Sequence, residues 1–191
     1  MKYSSYHWMK YLAAFLAPIG TAMGMIYGGY TPWYPVIFAF LIVPVLELIF
    51  PPDSTNFSPA ASQSAAGNRI YDILIWLLVP FQWIVVVLFL KKCAGGPLPG
   101  IELAGMIVSM GLMCGIVGIN VGHELGHRAN KTEQLLAKIL LLSSLYMHFF
   151  IEHNRGHHKR VGTPDDPATA RRGESVYFFY PRAIFLGYLS A

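Results

Sequence analysis

Between His123 and His158 lie six of the chain's seven histidines. Five of them form two short patterns. His123 and His127 stand four apart in "HELGH", and His153, His157 and His158 stand together in "HNRGHH". On an α-helix, residues four apart share a face, roughly 40° from one another about the axis. Each i,i+4 pair can therefore turn two imidazoles toward one point. On a helical second pattern, His158 points ~100° away from His157, so one short element offers ligands in two directions. Imidazole is the commonest metal-binding side chain, and ionisable groups near a bilayer are costly and tend to be functional. The remaining histidines, His7 and His148, read more plainly as interfacial or hydrogen-bonded residues.

Two chemistries compete for this set. "HELGH" matches HExxH, in which two histidines bind zinc and the glutamate, here Glu124, is the general base of a membrane metalloprotease. A mononuclear zinc enzyme needs three protein ligands and one open position. Here there are five imidazoles, and a protease leaves the His157–His158 pair without a task. A ligand-rich, all-histidine, two-direction site fits a pair of iron ions that activate O2. Ligand type alone does not choose between zinc, copper, iron and nickel. A non-catalytic protein that uses the histidines for metal or proton transport is a third reading.

The elements that must position these histidines are membrane helices. Of the 191 residues, 54% are hydrophobic and only 13% charged, against roughly 25% charge in a soluble domain. Mean hydropathy is +0.46. Apolar segments over about 7–30, 32–50, 70–90 and 101–120 each approach the ~20 residues that cross a bilayer. "PPDSTNFSPAASQSAAGN" (51–68) is a polar, turn-rich loop. A helix is expected over about 132–151, then a polar metal-site loop over 152–175, then a further apolar segment from Val176. The fold class is all-α: a multi-pass transmembrane helical bundle with a cytoplasmic-side histidine metal site, truncated at its C-terminus because the chain stops inside an apolar stretch. Residues 1–191 would form one partial domain.

With four crossings, the N-terminus and everything after residue 120 share a side. That side holds 12 of the 14 lysines and arginines, which places the histidines in the cytoplasm. Lys91 and Lys92 run against this assignment. The net charge of +4 is explained by topology and anionic lipid rather than nucleic acid, because no basic patch interleaves with aromatics on a polar surface. Cys93 and Cys114 read as free thiols. Gly105, Gly111, Gly115 and Gly118 in the fourth span would let another helix approach closely.

"GINVGHELGHR" (118–128) and "EHNRGHHKRVGTPDDPATARRGES" (152–175) resemble the first two histidine boxes of the membrane alkane 1-monooxygenases, relatives of the wider fatty-acid desaturase and hydroxylase group. The resemblance covers essentially the whole chain as the N-terminal part of such an enzyme. It implies a six-helix bundle in the bacterial inner membrane with a non-haem di-iron centre. It further implies terminal hydroxylation of alkanes with O2, using electrons from rubredoxin and its NADH-dependent reductase. His123, His127, His153, His157 and His158 match family iron ligands. The later histidines of the family do not occur here, so five imidazoles would leave two irons under-coordinated and this fragment inactive alone. A fatty-acyl or aromatic-methyl substrate is the nearest rival to an n-alkane.

Four residues beside the boxes could steady the ligands. Glu124 and Glu152 each neighbour a histidine, and a carboxylate commonly accepts the distal N–H of a metal-bound imidazole. The plainer alternative is an ion pair with Arg128, Arg155 or Lys159. Asn120 could hydrogen-bond at the helix end. Asp166 could partner a histidine, or cap a turn before Pro167. Arg155, Lys159, Arg160, Arg171 and Arg172 form a basic patch, suited to anionic lipid or to steering an acidic electron carrier.

Overall fold

The computed structural model describes residues 6–50, 56 and 58–191, and among these every regular element is a helix. Four helices are long and apolar enough to cross a membrane: α1 (His7–Tyr27), α2 (Thr31–Ile49), α4 (Ile70–Ala94) and α5 (Gly100–Gly126). Between α2 and α4 lies the short α3 (Pro59–Ala66), capped by the Ser58 hydroxyl, which accepts from Ala61 N–H at 3.3 Å. The polar loop expected over 51–68 is thus partly helical, and residues 51–55 and 57 of it lie outside the described residues. Three further helices follow: α6 (Lys131–Ser143), α7 (148–160) and α8 (Val176–Ser190).

The chain divides into two compact units, one up to Val117 and one from Gly118. In the first unit the buried apolar centre includes Met25, Val85, Met106 and Met113. No more than 33% of any candidate span is buried within the protein itself. The remaining apolar surface is what a bilayer would cover, and the chain is an integral membrane protein in composition and in form. At the α1–α2 turn, Gly28 and Gly29 adopt positive φ angles of 69° and 64°. The buried Glu102 carboxylate accepts the Gly29 N–H at 2.8 Å and lies 3.8 Å from Lys92. One of the two lysines that oppose the charge rule is therefore engaged with a buried acid. Nearby, Trp33 Nε1 donates to the Ile101 carbonyl at 3.0 Å, its indole occupying the space a Cβ on Gly105 would take, and Ser109 donates to the Pro32 carbonyl. Among the four glycines of the fourth span, Gly105 and Gly118 permit close approach, whereas Gly111 and Gly115 face open space.

In the second unit, α5's last turns pack on α6 around Leu125, Ala137, Leu140 and Leu141, all fully buried. The single helix expected over 132–151 is two helices. After Ser143 the backbone of Leu145 turns left-handed, with φ 53°. Leu145 N–H bonds to the Leu142 carbonyl at 3.0 Å and Tyr146 N–H to the Leu141 carbonyl at 2.9 Å. This is the Schellman termination, normally built on glycine. The apolar periodicity runs through the break and hides it. Similarly, the polar stretch from residue 152 does not start as a loop: 152–160 is helical, and only 161–175 is irregular.

A leucine in the left-handed region costs roughly 1–2 kcal/mol relative to an unstrained backbone, and Leu145 is 85% exposed. Leu145→Gly is therefore expected to stabilise the second unit by about 1 kcal/mol, read as a higher midpoint of thermal unfolding in detergent.

Candidate metal centre

The histidines are presented by two helix ends, each preceded or formed by a widened turn. Helix α5 is α-helical to Met113, π-helical over Cys114–Ile119 and α-helical again over Asn120–Gly126. Helix α7 is π-helical over Glu152–His157. A π-helix closes i→i+5 hydrogen bonds, so residues five apart come into register. This changes the second box. His158, expected to point away, lies beside His153, with their Nε2 atoms 3.0 Å apart. His157 instead stacks on His153 at a ring separation of 5.2 Å and turns its Nδ1 toward Asp166.

The widened turn has a local cause in Gly156. A Cβ there would fall on the Glu152 carboxylate and 2.7 Å from the Arg160 guanidinium. Without that Cβ, buried Glu152 folds back along its own helix. It accepts from Arg160 Nη2 at 2.9 and 3.2 Å and from the Ser190 hydroxyl at 2.9 Å. The second box is thereby tied to the end of α8.

Three ring nitrogens converge. His123 Nε2 lies 2.7 Å from His153 Nε2 and 2.7 Å from His127 Nε2, and the third side of the triangle is 3.1 Å. Ligating nitrogens at ~2.1 Å from one ion, in adjacent octahedral positions, are about 3 Å apart. The triangle has that size, and His123, His127 and His153 form a group able to hold a metal ion. The nitrogens do not satisfy one another. His153 Nε2 has imidazole nitrogens at 2.7, 3.1 and 3.0 Å, yet a neutral ring nitrogen offers one N–H or one lone pair. Burial, and then the neighbouring imidazoles, push His153 down to about 4, so at neutral pH it is uncharged and able to ligate.

The carboxylates near the boxes have different tasks. Asp166 is fully buried, and its Oδ2 accepts from His157 Nδ1 at 2.9 Å. Burial alone would raise its pKa, but hydrogen bonds from Thr169, the Ala168 N–H and His157 outweigh it and hold the carboxyl below its ordinary range. The proton of this bond therefore sits on His157 Nδ1, leaving Nε2 free as a donor to a metal. Glu152 touches Arg160 and Ser190 rather than an imidazole. Glu124 is exposed and pairs with Arg128 at 3.6 Å. Asn120 is exposed, one turn before His123. Arg160 is withdrawn from the basic patch by its pair with Glu152. His148 lies between Tyr146 and Tyr188, with ring separations of 4.4 and 5.2 Å, away from the convergence. The roles of Arg160, Ser190, Arg182 and Thr169 were not read from the sequence. Only Thr169 carried a signal, as a hydroxyl three residues after an aspartate in a turn.

The sequence profile of the fatty acid desaturase family matches residues 99–191. The chain is thus a multi-pass membrane protein with a fatty acid desaturase-type region that contains the histidine convergence. It is 34% identical over 158 residues to alkane 1-monooxygenase 1 of Alcanivorax borkumensis, covering 82% of this chain and 39% of that protein. With alkane 1-monooxygenase 2 of the same organism it shares 32% identity over 196 residues, covering 100% of this chain and 51% of that protein. To the xylene/toluene monooxygenase hydroxylase component XylM of Pseudomonas putida it is 28% identical over 177 residues, 90% of this chain and 46% of that protein. The chain belongs to the alkane 1-monooxygenase family. It spans about half, or less, of the length of these relatives.

Because the folded pKa of His153 lies below its usual 6.5, the unfolded chain binds more protons than the folded one between these values. The contribution of His153 to the stability of the metal-free protein is full above pH 6.5 and is lost as pH falls toward about 4. Thermal unfolding followed across that window is expected to show this slope in the wild type and a flatter one in His153→Gln.

Proposed function

We propose that this chain is the part of a non-haem iron monooxygenase that carries the first two histidine boxes, acting on the terminal carbon of medium- or long-chain alkanes. The observation that carries the reading is the convergence of His123, His127 and His153 on one point. The sequence kinship to alkane 1-monooxygenases supports iron and oxygenation over other uses of such a site.

In this reading His123, His127 and His153 would hold one iron ion, with His158 beside them. His157, oriented by Asp166, would serve a second. Dioxygen activation and cleavage of an unactivated C–H bond are the chemistry such irons supply when bound. The protein's own residues do the rest. The imidazoles of His123, His127 and His153 would direct their Nε2 atoms toward one point. Asp166 holds the Nδ1 proton of His157. An apolar surround would keep water from the reacting chain end. Alkane, O2, two electrons and two protons give primary alcohol and water, so an external electron donor is required, and we assign this to rubredoxin and its NADH-dependent reductase. Arg155, Lys159, Arg171 and Arg172 supply a basic surface for it on the cytoplasmic side of a bacterial inner membrane. Aromatic methyl groups are the alternative substrate, favoured by the match to XylM.

The zinc-protease reading of "HELGH" needs Glu124 at the metal as a base. Its exposed ion pair with Arg128 is the arrangement of a surface residue instead.

The test uses membranes bearing the protein, with n-alkane, 18O2, rubredoxin, reductase and NADH. The expected product is the 1-alkanol carrying one 18O, abolished in His153→Ala and retained in Glu124→Ala. Loss of function in Glu124→Ala alone, with peptide cleavage in the wild type, would reverse the assignment.

A further inference from the structure

The link between Asp166 and His157 depends on a loop, 161–175, that has no regular structure of its own. An arginine from the next helix engages the loop at three residues. Arg182, on α8, makes a bidentate pair with Glu174, its Nε 2.6 Å from Oε1 and its Nη2 2.7 Å from Oε2. The same guanidinium donates to the Pro167 carbonyl at 3.1 Å and to the Thr169 carbonyl at 3.1 Å. Its Cζ lies over the Phe179 ring, 5.5 Å from the centroid. Both partners of the pair are largely shielded, with side-chain exposures of 17% and 11%. The guanidinium holds the Glu174 carboxyl down to about 2.

Between these two carbonyl contacts lies the turn that presents Asp166. Thr169 Oγ1 donates to Asp166 Oδ2 at 2.5 Å and accepts from Gly162 N–H at 2.9 Å. The Ala168 N–H donates to Asp166 Oδ1 at 3.0 Å. Asp166 Oδ2 then reaches His157 Nδ1 at 2.9 Å. One continuous set of hydrogen bonds therefore runs from Arg182 through the Pro167–Thr169 turn to a histidine of the second box.

We propose that Arg182 is a positioning residue of the metal centre: with Glu174 it clamps the Asp166–Thr169 turn so that Asp166 keeps the Nδ1–H tautomer of His157. This deepens the metal-centre reading and rests on it. Lysine cannot substitute, because the task uses a planar fork that engages four acceptors in fixed directions, whereas an ammonium is a point charge on a flexible stem. Partners that orient a ligating histidine typically contribute 10–100-fold in metal affinity. That is the size of effect expected from a residue acting through Asp166.

The experiment compares the full 15N-labelled chain in detergent as wild type, Arg182→Lys, Thr169→Val and Thr169→Ser. The His157 ring tautomer is read in the metal-free protein from two-bond 1H–15N correlations, and cobalt(II) affinity from visible absorption. Arg182→Lys retains the positive charge, and Thr169→Val leaves Arg182 untouched, so the pair guards against a variant that fails to fold. The wild type and Thr169→Ser are expected to hold the Nδ1–H tautomer. Arg182→Lys and Thr169→Val are expected to show mixed tautomers and ~10-fold or greater loss of cobalt(II) affinity. Arg182→Lys should cause no further loss in an Asp166→Asn background, because both act on the same bond. Persistence of Nδ1–H in both variants, or weakened cobalt(II) binding without a tautomer change, would overturn the proposal. If the wild type binds no cobalt(II) dependent on His153, the metal reading fails, while the tautomer comparison still decides whether Arg182 acts on His157.

Discussion

Three imidazole nitrogens within about 3 Å of one another cannot share their protons and lone pairs to mutual satisfaction. Such an arrangement could hold a cation at its centre, and the second unit brings the three rings together. Helix α5 delivers His123 and His127 on one face, α7 delivers His153 and His158 across from them, and each helix is anchored elsewhere. The anchors are apolar for α5, which is packed on α6 through Leu125, Leu140 and Leu141. For α7 they are polar: the Glu152–Arg160–Ser190 cluster on one side and the His157–Asp166 bond on the other. Packing of this kind fixes ligand geometry before a ligand arrives, which is what a metal site on a helical scaffold requires.

Much of the outline was legible in the sequence because bilayer thickness and hydropathy constrain it. The four spans begin within a residue or two of where the apolar segments predict them. The fourth ends later, since polar residues of the first box continue the helix. What could not be read was backbone irregularity. The i,i+4 rule predicts His153 with His157, and their rings do stack, but across the π-turn it is His158 that brings its Nε2 to His153 while His157 turns its Nδ1 to Asp166. The signal of that turn is Gly156, a position that admits no Cβ once Glu152 folds back. The break at Leu145 was hidden for a related reason, since leucine gives no local sign of a left-handed residue. Glu124 and Glu152, adjacent to ligands in sequence, face away from them in space. Asp166, nine residues from His157, does not.

Kinship and geometry answer different questions here. Similarity to alkane 1-monooxygenases identifies the family and the membrane setting. It does not say how a sequence with so many charges near residues 152–175 keeps its histidine rings aligned. The structure answers that from acids and cations paired locally: Glu152 with Arg160, Glu174 with Arg182, and Glu133 with Arg128 at 2.6 Å. These pairs take three arginines next to the boxes out of play and leave Arg155, Lys159, Arg171 and Arg172 as the basic surface.

The central claim is that these histidines bind iron through nitrogen. It is tested most directly by iron K-edge X-ray absorption on the purified chain reconstituted with ferrous iron, wild type beside His153→Ala. The account predicts bound iron with a first shell of nitrogen scatterers at ~2.1 Å and the multiple-scattering pattern of imidazole rings, and its loss in His153→Ala. Iron absent from the wild type, or an iron shell unchanged in His153→Ala, would contradict it.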